Sequence, residues 1–247
     1  MKQIDGLNVV VVVPAYNEAA RIGRTLKIMK RYLQSQLRVN KIRSEVIVVN
    51  DGSKDKTCAV IGKSHPWVHL IARKVNKGKG YSVREGVIEA LHIMPEADYI
   101  IFTDADGSSH LRFMIPQLKC GKDIIITNRE LRDSRILNTA SHRRIASRGF
   151  YMLNRILLGL KITDTQNGLK AYRANVARRL FTLAKEDGFC FDAEVLFLAD
   201  KLGYQIKQVP VVWRNTLDSR VKFKHLFIMF NDTVRILKRY RGGQYAI

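Results

Sequence analysis

Apolar residues in this chain fall into two alternating rhythms. Residues 9–13 form an unbroken valine run closed by Pro14, and residues 45–50 (EVIVVN) and 99–103 (YIIFT) repeat the pattern, each ending in polar residues. Short β-branched runs of this kind predict strands buried on both faces, as in a parallel sheet. Between them, Ile22, Leu26, Met29 and Leu33 recur at helical spacing, as do Val83, Val87, Ala90 and Leu91. Strand and helix therefore alternate, which predicts a doubly wound α/β sheet. Residues 69–73 and 123–127 supply further strands, and ligands of such sheets bind at the carboxyl ends of strands.

Beyond about residue 130 the pattern changes. An arginine-rich segment leads into an amphipathic stretch at 145–160, then a strand at 168–173, helices at 175–184 and 192–202, and a strand at 205–213. No Pro/Gly/Ser-rich linker divides the halves, so the second reads as an elaboration of the first. The expected organisation is a main domain over 1–220, with a nucleotide-binding half at about 7–128 and an acceptor half at about 129–220, followed by a tail at 221–247. That tail interleaves Phe227, Met229, Phe230, Val234, Ile236 and Leu237 with Lys222, Lys224, Arg235, Lys238, Arg239 and Arg241, the composition of a basic amphipathic helix.

Composition narrows the classes. The 247 residues carry 43 Lys+Arg against 22 Asp+Glu, a formal net charge of +21, and 46% hydrophobic content excludes disorder as the main description. Cys58, Cys120 and Cys190 are far apart, so neither a disulfide framework nor a zinc ribbon is expected. No secretory signal is visible, and no apolar run reaches the roughly 18 residues of a spanning helix, so a soluble or peripheral protein is expected. A charge of +21 by itself fits nucleic acid, a membrane surface or an acidic substrate.

Candidate chemistry gathers at strand ends. Asp104 and Asp106 flank Ala105 where 99–103 leaves the sheet; paired hard oxygen ligands hold Mg²⁺ or Mn²⁺, although Asp and Gly also build ordinary solvated turns. Asp51 ends another strand and offers a carboxylate to a base or ribose, with Ser53 placed to cap a helix from Lys54. Tyr16 and Glu18 follow Pro14 and either form a pocket wall or open a helix. Asn76-Lys77-Gly78-Lys79-Gly80 puts two lysines and two glycines at a helix N-terminus, a common anion-binding arrangement, or else a solvated basic loop. P-loop, GxGxxG, HExxH and GxSxG motifs are all missing from the sequence, which sets aside the NTPase, dehydrogenase, zinc-protease and serine-hydrolase classes.

Together these segments resemble the inverting family 2 glycosyltransferases of GT-A fold: VVVPAYNE (11–18), VVNDGS (48–53), NKGKG (76–80) and TDADG (103–107). RRIASRG (143–149), LLGLKITDTQNGLKAYR (157–173), GFCFDAE (188–194) and VPVVW (209–213) look like the polyprenyl-phosphate hexosyltransferases, and DTQNG and FDAE most resemble the dolichyl-phosphate β-glucosyltransferase branch. The resemblance implies a Rossmann-like, mostly parallel sheet flanked by helices, with an acceptor-side elaboration and the basic tail helix. It places Pro14, Ala15, Tyr16, Glu18, Asp51, Lys79, Asp104, Ala105 and Asp106 around a nucleotide sugar, and Mg²⁺ or Mn²⁺ on Asp104 and Asp106. Arg129, Arg144, Asp164 and Gln166 fall on the acceptor side, and Asp106, Arg129, Arg144 and Asp192 are its implied catalytic set.

The implied reaction moves glucose from UDP-glucose to dolichyl or another polyprenyl phosphate at the cytosolic membrane face. A lipid phosphate is already an anionic nucleophile and needs positioning by arginines more than a strong base. Transfer of mannose from GDP-mannose is an alternative, as is a hydroxyl acceptor served by Asp192 as base. Nucleic-acid binding is not expected, because no recognition motif accompanies the charge. Asn50 stands where relatives more often carry an acid, and Gly107-Ser108-Ser109 departs from the usual residues after DAD.

Overall fold

The computed structural model describes residues 6–137, 141–214 and 223–247, with the side chains of 141–148 and 223–227 left out of the description. The strands are β1 (Asn8–Ala15), β2 (Arg43–Asn50), β3 (His69–Ala72), β4 (Tyr99–Thr103), β5 (Ile124–Thr127), β6 (Arg135–Leu137), β7 (Leu169–Arg173), β8 (Ile206–Val209) and β9 (Val212–Arg214). The helices are α1 (Ile22–Asn40), α2 (Thr57–Ser64), α3 (Lys79–Ile93), α4 (Ser141–Leu158), α5 (Ala174–Leu183), α6 (Phe191–Lys201) and α7 (Phe223–Arg241). Seven strands form one sheet in the order β3-β2-β1-β4-β7-β5-β8. It is parallel except at β7, which runs antiparallel to both β4 and β5.

The valine run of β1 explains why the sheet is covered on both faces. Val10 and Val12 pack into one core with α3, α5, α6 and α7, while Val9, Val11 and Val13 pack into the other with α1. All five are fully buried, and each contributes about 1.5–3 kcal/mol by leaving water. The predicted stripe Ile22, Leu26, Met29 and Leu33 is the buried face of α1. The tail helix α7 also joins the body: Met229, Ile236 and, just beyond it, Tyr245 lie in the first core.

Two boundaries differ from expectation. Pro14 does not end β1, which continues to Ala15; β4 pairs only with Val9–Val12, so the missing prolyl N–H falls past that pairing. The stretch 205–213 is two strands, not one. Pro210 separates β8, which joins the main sheet beside β5, from β9, which leaves it and pairs with β6. β6 lies inside the arginine-rich segment, where only three residues at an exposed–intermediate–exposed position carried the strand signal.

Candidate active site

The polar ends of β1, β2, β4 and β5 line one edge of the sheet. After β1, Asn17 takes a left-handed backbone (φ 51°), and its N–H donates to Ser53 Oγ at 2.8 Å while its Oδ1 accepts from Lys54 N at 2.7 Å. Glu18 N donates to Thr57 Oγ1 at 2.7 Å. These bonds zip the loop after β1 to the loop after β2 and correct one expectation. Ser53 does not cap a helix at Lys54; α2 starts at Thr57, whose N–H is taken by Asp55 Oδ1. The carboxylate of Glu18 forks onto Arg21 at 2.8 and 2.9 Å. Ala15 is buried beneath, and Pro14 and Tyr16 are partly exposed.

Asp51 is buried and organises the neighbouring loop. Its carboxylate accepts from Arg73 Nη2 at 2.6 Å, Lys77 N at 2.8 Å and Gly78 N at 2.9 Å. Arg73, which sequence reasoning passed over, also pairs with Glu85 at 3.0 Å and lies 4.8 Å from the Tyr81 ring centre. The signal was its place at the end of β3, the strand paired to β2. The expected anion cradle at the start of α3 is likewise revised. Gly80 N and Tyr81 N donate to the Asp187 carbonyl at 2.7 and 3.2 Å, and the amides of Lys77 and Gly78 belong to Asp51. A Cβ on Gly80 would sit 2.3 Å from the Glu186 carbonyl, so that glycine serves chain packing. What α3 presents to the site is the Lys79 side chain.

Lys79 Nζ meets Asp104 Oδ1 at 2.7 Å, over the Phe102 ring at 5.2 Å. Burial opposes its charge, but Asp104 and then Asp192 outweigh that and raise its pKa. Asp104 leaves β4 with its N–H bonded to the Gly168 carbonyl at 3.0 Å. Only glycine fits at 168: a Cβ there would lie 1.8 Å from Asp104 Oδ2. Asp106 Oδ1 accepts from Ser108 N at 2.8 Å, and Ala105 between the two acids is buried. Two partly exposed carboxylates one residue apart, one of them seated against a glycine, suit a hard divalent cation that shares its remaining positions with water and a diphosphate.

Behind them lies a charge pair that the sequence did not reveal. Lys170 on β7 is fully buried; its Nζ donates to Asp192 Oδ1 at 2.6 Å and to the Asn167 carbonyl. Burial is the largest influence on both groups and pushes each toward neutrality, raising Asp192 and lowering Lys170, while each partner's charge opposes that drift. Asp192 sits in the first turn of α6, so the helix terminus also favours its charge. The carboxylate considered as a base is thus an engaged member of a buried pair. The clue in the sequence was a lysine set between Leu169 and Ala171 in a short strand.

A second corner of the site assembles from three distant segments. Arg129, just after β5, gives Asp164 three hydrogen bonds: from its backbone N at 2.9 Å, from Nε at 2.8 Å and from Nη2 at 2.8 Å. Burial works against the Asp164 carboxylate, yet Arg129 holds its pKa below the ordinary value. The guanidinium lies over the Trp213 ring at 5.0 Å. Asn128 knits the corner, donating to Thr163 Oγ1 and Gln208 Oε1 at 2.7 and 2.6 Å. Gln166 is partly exposed, and its Nε2 and the neighbouring Asn167 Nδ2 are buried without an acceptor among the described residues. A buried donor left so costs about 1–3 kcal/mol. Arg144 lies on α4, and its side chain is outside the described residues.

Known proteins share this plan. The model of glycosyl transferase family 2 matches residues 10–181. A dolichyl-phosphate beta-glucosyltransferase of Trichomonas vaginalis is 32% identical over 96% of this chain and 72% of its own length. One of Dictyostelium discoideum is 31% identical over 99% of this chain and 78% of its own. Among solved structures, the glucosyl-3-phosphoglycerate synthase of Mycobacterium tuberculosis, in complex with Mn²⁺, UDP and glucosyl-3-phosphoglycerate, aligns with a TM-score of 0.66 at 21% identity, covering 94% of this chain and 79% of that one. With the strand-end carboxylates and sheet order described above, these matches make the chain a member of glycosyl transferase family 2, a glycosyltransferase of GT-A fold.

Proposed function

We propose that this chain transfers glucose from UDP-glucose to dolichyl or another polyprenyl phosphate, with inversion to a β-linked product. The observation that carries this reading is the state of Asp192. A hydroxyl acceptor needs a base to take its proton, and the acid at that position is buried against Lys170 at 2.6 Å. A phosphate acceptor needs none. What it needs is a fixed cationic fork, and Arg129 supplies one whose orientation is set by three bonds to Asp164. Relatives named dolichyl-phosphate beta-glucosyltransferases support the same acceptor.

In this reading Pro14, Ala15, Tyr16 and Glu18 shape the nucleoside side, and Asp51, with Arg73 beside it, holds the wall facing the base. Asp104 and Asp106 would hold Mg²⁺ or Mn²⁺, which when bound offsets charge on the diphosphate. Lys79, already beside Asp104, neutralises the same leaving group. A phosphate oxygen of the acceptor forms the new bond to the anomeric carbon on the face opposite the diphosphate, the bond from that carbon to the diphosphate oxygen breaks, and its electron pair departs on UDP. Positive charge on Lys79 favours this step because negative charge grows on the diphosphate as the sugar leaves. Gln166 and Asn167 provide amide donors for sugar or phosphate oxygens, and Arg144 joins Arg129 on the acceptor phosphate.

A cytosolic, peripheral membrane setting belongs to the same proposal. No helix among the described residues is long and apolar enough to cross a membrane. α4 contains no acidic residue, and the single acid of α7, Asp232, is buried, while Met152 and Ile156 on α4 and Ile228 and Phe230 on α7 are exposed. Apolar side chains among basic ones suit an anionic leaflet, where each Lys or Arg contributes about 1 kcal/mol. Cosedimentation with vesicles containing anionic lipid should fall as salt rises; salt-insensitive or absent binding contradicts the membrane part.

The activity is tested with UDP-[¹⁴C]glucose, Mg²⁺ or Mn²⁺, and dolichyl phosphate or dolichol in parallel. Organic-extractable label with the phosphate and none with the alcohol is expected. Label on the alcohol overturns the acceptor reading, and no label from any nucleotide hexose overturns the whole proposal.

A further inference from the structure

Trp213 belongs to no part of the nucleotide-sugar machinery, yet three contacts put it between the DAD turn and the Arg129 corner. Its ring covers the Arg129 guanidinium at 5.0 Å. Its strand, β9, pairs with β6, with Trp213 opposite Ile136. The next residue, Arg214, donates its N–H to the Ser108 carbonyl at 3.1 Å, and Ser108 N in turn donates to Asp106 Oδ1 at 2.8 Å. One short chain of contacts therefore runs from a carboxylate of the DAD turn, through β9, to the arginine of the acceptor corner.

The guanidinium has little freedom left. Nε and one N–H of Nη2 are spent on Asp164, and the indole lies against it. Nη1 makes no hydrogen bond to a described residue, and the Arg129 side chain keeps 20% of its surface exposed. An arginine confined in this way offers an anion the in-plane edge of its fork and not its face.

We propose that Trp213 is a positioning and specificity-determining residue. With Asp164 it fixes the free edge of Arg129 for a phosphate monoester, and through β9 it sets the distance of that phosphate from the diphosphate held at Asp104 and Asp106. Asp164 then acts through Arg129 and does not itself touch the acceptor. This deepens the acceptor reading given above and rests on it.

The test compares Trp213→Leu and Trp213→Phe in the full chain, with a long polyprenyl phosphate in vesicles and with a short, water-soluble prenyl phosphate. An exposed to partly desolvated cation–aromatic contact corresponds to roughly a three- to thirtyfold change. Trp213→Leu should raise KM for both phosphates by about that factor and leave KM for UDP-glucose unchanged. Trp213→Phe, which retains a ring, should recover most of the loss, whereas a purely structural role would move both substrates' KM together and lower the thermal midpoint. Unchanged acceptor KM, or an equal rise for UDP-glucose, overturns the proposal. Should the wild-type chain transfer to no lipid phosphate, binding of inorganic phosphate, followed by ³¹P NMR with UDP and Mg²⁺ present, separates the two failures. Weaker phosphate binding in Trp213→Leu and in Arg129→Ala upholds the positioning role, and undiminished binding in Trp213→Leu removes it.

Discussion

At the end of the site that we assign to the donor, Lys79 and Asp104 meet at 2.7 Å with 21% and 28% of their side chains exposed; at the end that we assign to the acceptor, Arg129 and Asp164 meet at 2.8 Å with Asp164 only 2% exposed and bonded three times by one residue. The first pair is a single contact between groups that can exchange partners when a diphosphate and its cation arrive. The second is a finished fork whose orientation is set before any ligand binds. A leaving group that gains charge during the reaction is stabilised by cations beside it, while a nucleophile that is already charged needs fixed geometry. Lys170–Asp192 is a third pair, fully buried, in which the ammonium holds Asp192 Oδ1 at 2.6 Å.

The sharpest way to break this contrast is to remove the donor-side carboxylate. Asp106→Ala should cut transfer by roughly a thousandfold, since metal-held charge stabilisation is worth several kcal/mol, with an unchanged circular dichroism spectrum; near-normal turnover would remove the metal assignment. Next in size is the third pair. Lys170→Met leaves Asp192 as an unpaired buried charge and should lower stability by about 3–5 kcal/mol in urea unfolding, whereas the double variant Lys170→Met/Asp192→Leu should regain most of it. If single and double variants are equally unstable, the pair is not electrostatic in origin.

Arg129→Lys keeps the charge and loses the fork, so it should raise KM for the lipid phosphate about tenfold or more while sparing UDP-glucose; full activity would show that charge alone suffices at the acceptor end. The smallest effect concerns Asp164→Asn. Because Arg129 holds the folded pKa of Asp164 below its unfolded value of 3.8, the stability that this acid adds is complete above that value and is lost as pH falls through the folded pKa. The difference in Tm between wild type and Asp164→Asn should therefore be constant near neutrality and shrink in acid, and a difference that grows on acidification would contradict the ion pair.

The two ends also differ in how far the sequence discloses them. PAYNE, NDGS, NKGKG and DADG each sit where one strand leaves the sheet, so local patterning places them at one edge and the structure brings their residues together. The acceptor corner has no such local code. Arg129, Asp164 and Trp213 are joined by β6, β9 and the Asn128 bonds, and those depend on Pro210 diverting the chain out of the main sheet. Amphipathic periodicity located α1 and α7, but it could not show that Arg235 and Arg239 of the tail reach the buried Glu186 at 2.7 and 2.6 Å. Nor could it show that the N–H groups at the start of α3 would be consumed by Asp51 and Asp187, because those acceptors come from other strands and loops.

In the proposed reaction, donor and acceptor are held by separate groups at one edge of the sheet. Calorimetry with UDP plus Mn²⁺ and, separately, with a short prenyl phosphate on Asp106→Ala and Arg129→Ala tests it most directly. Asp106→Ala should lose nucleotide binding and keep the phosphate, and Arg129→Ala should do the reverse; both variants losing both ligands, or neither losing either, would contradict it.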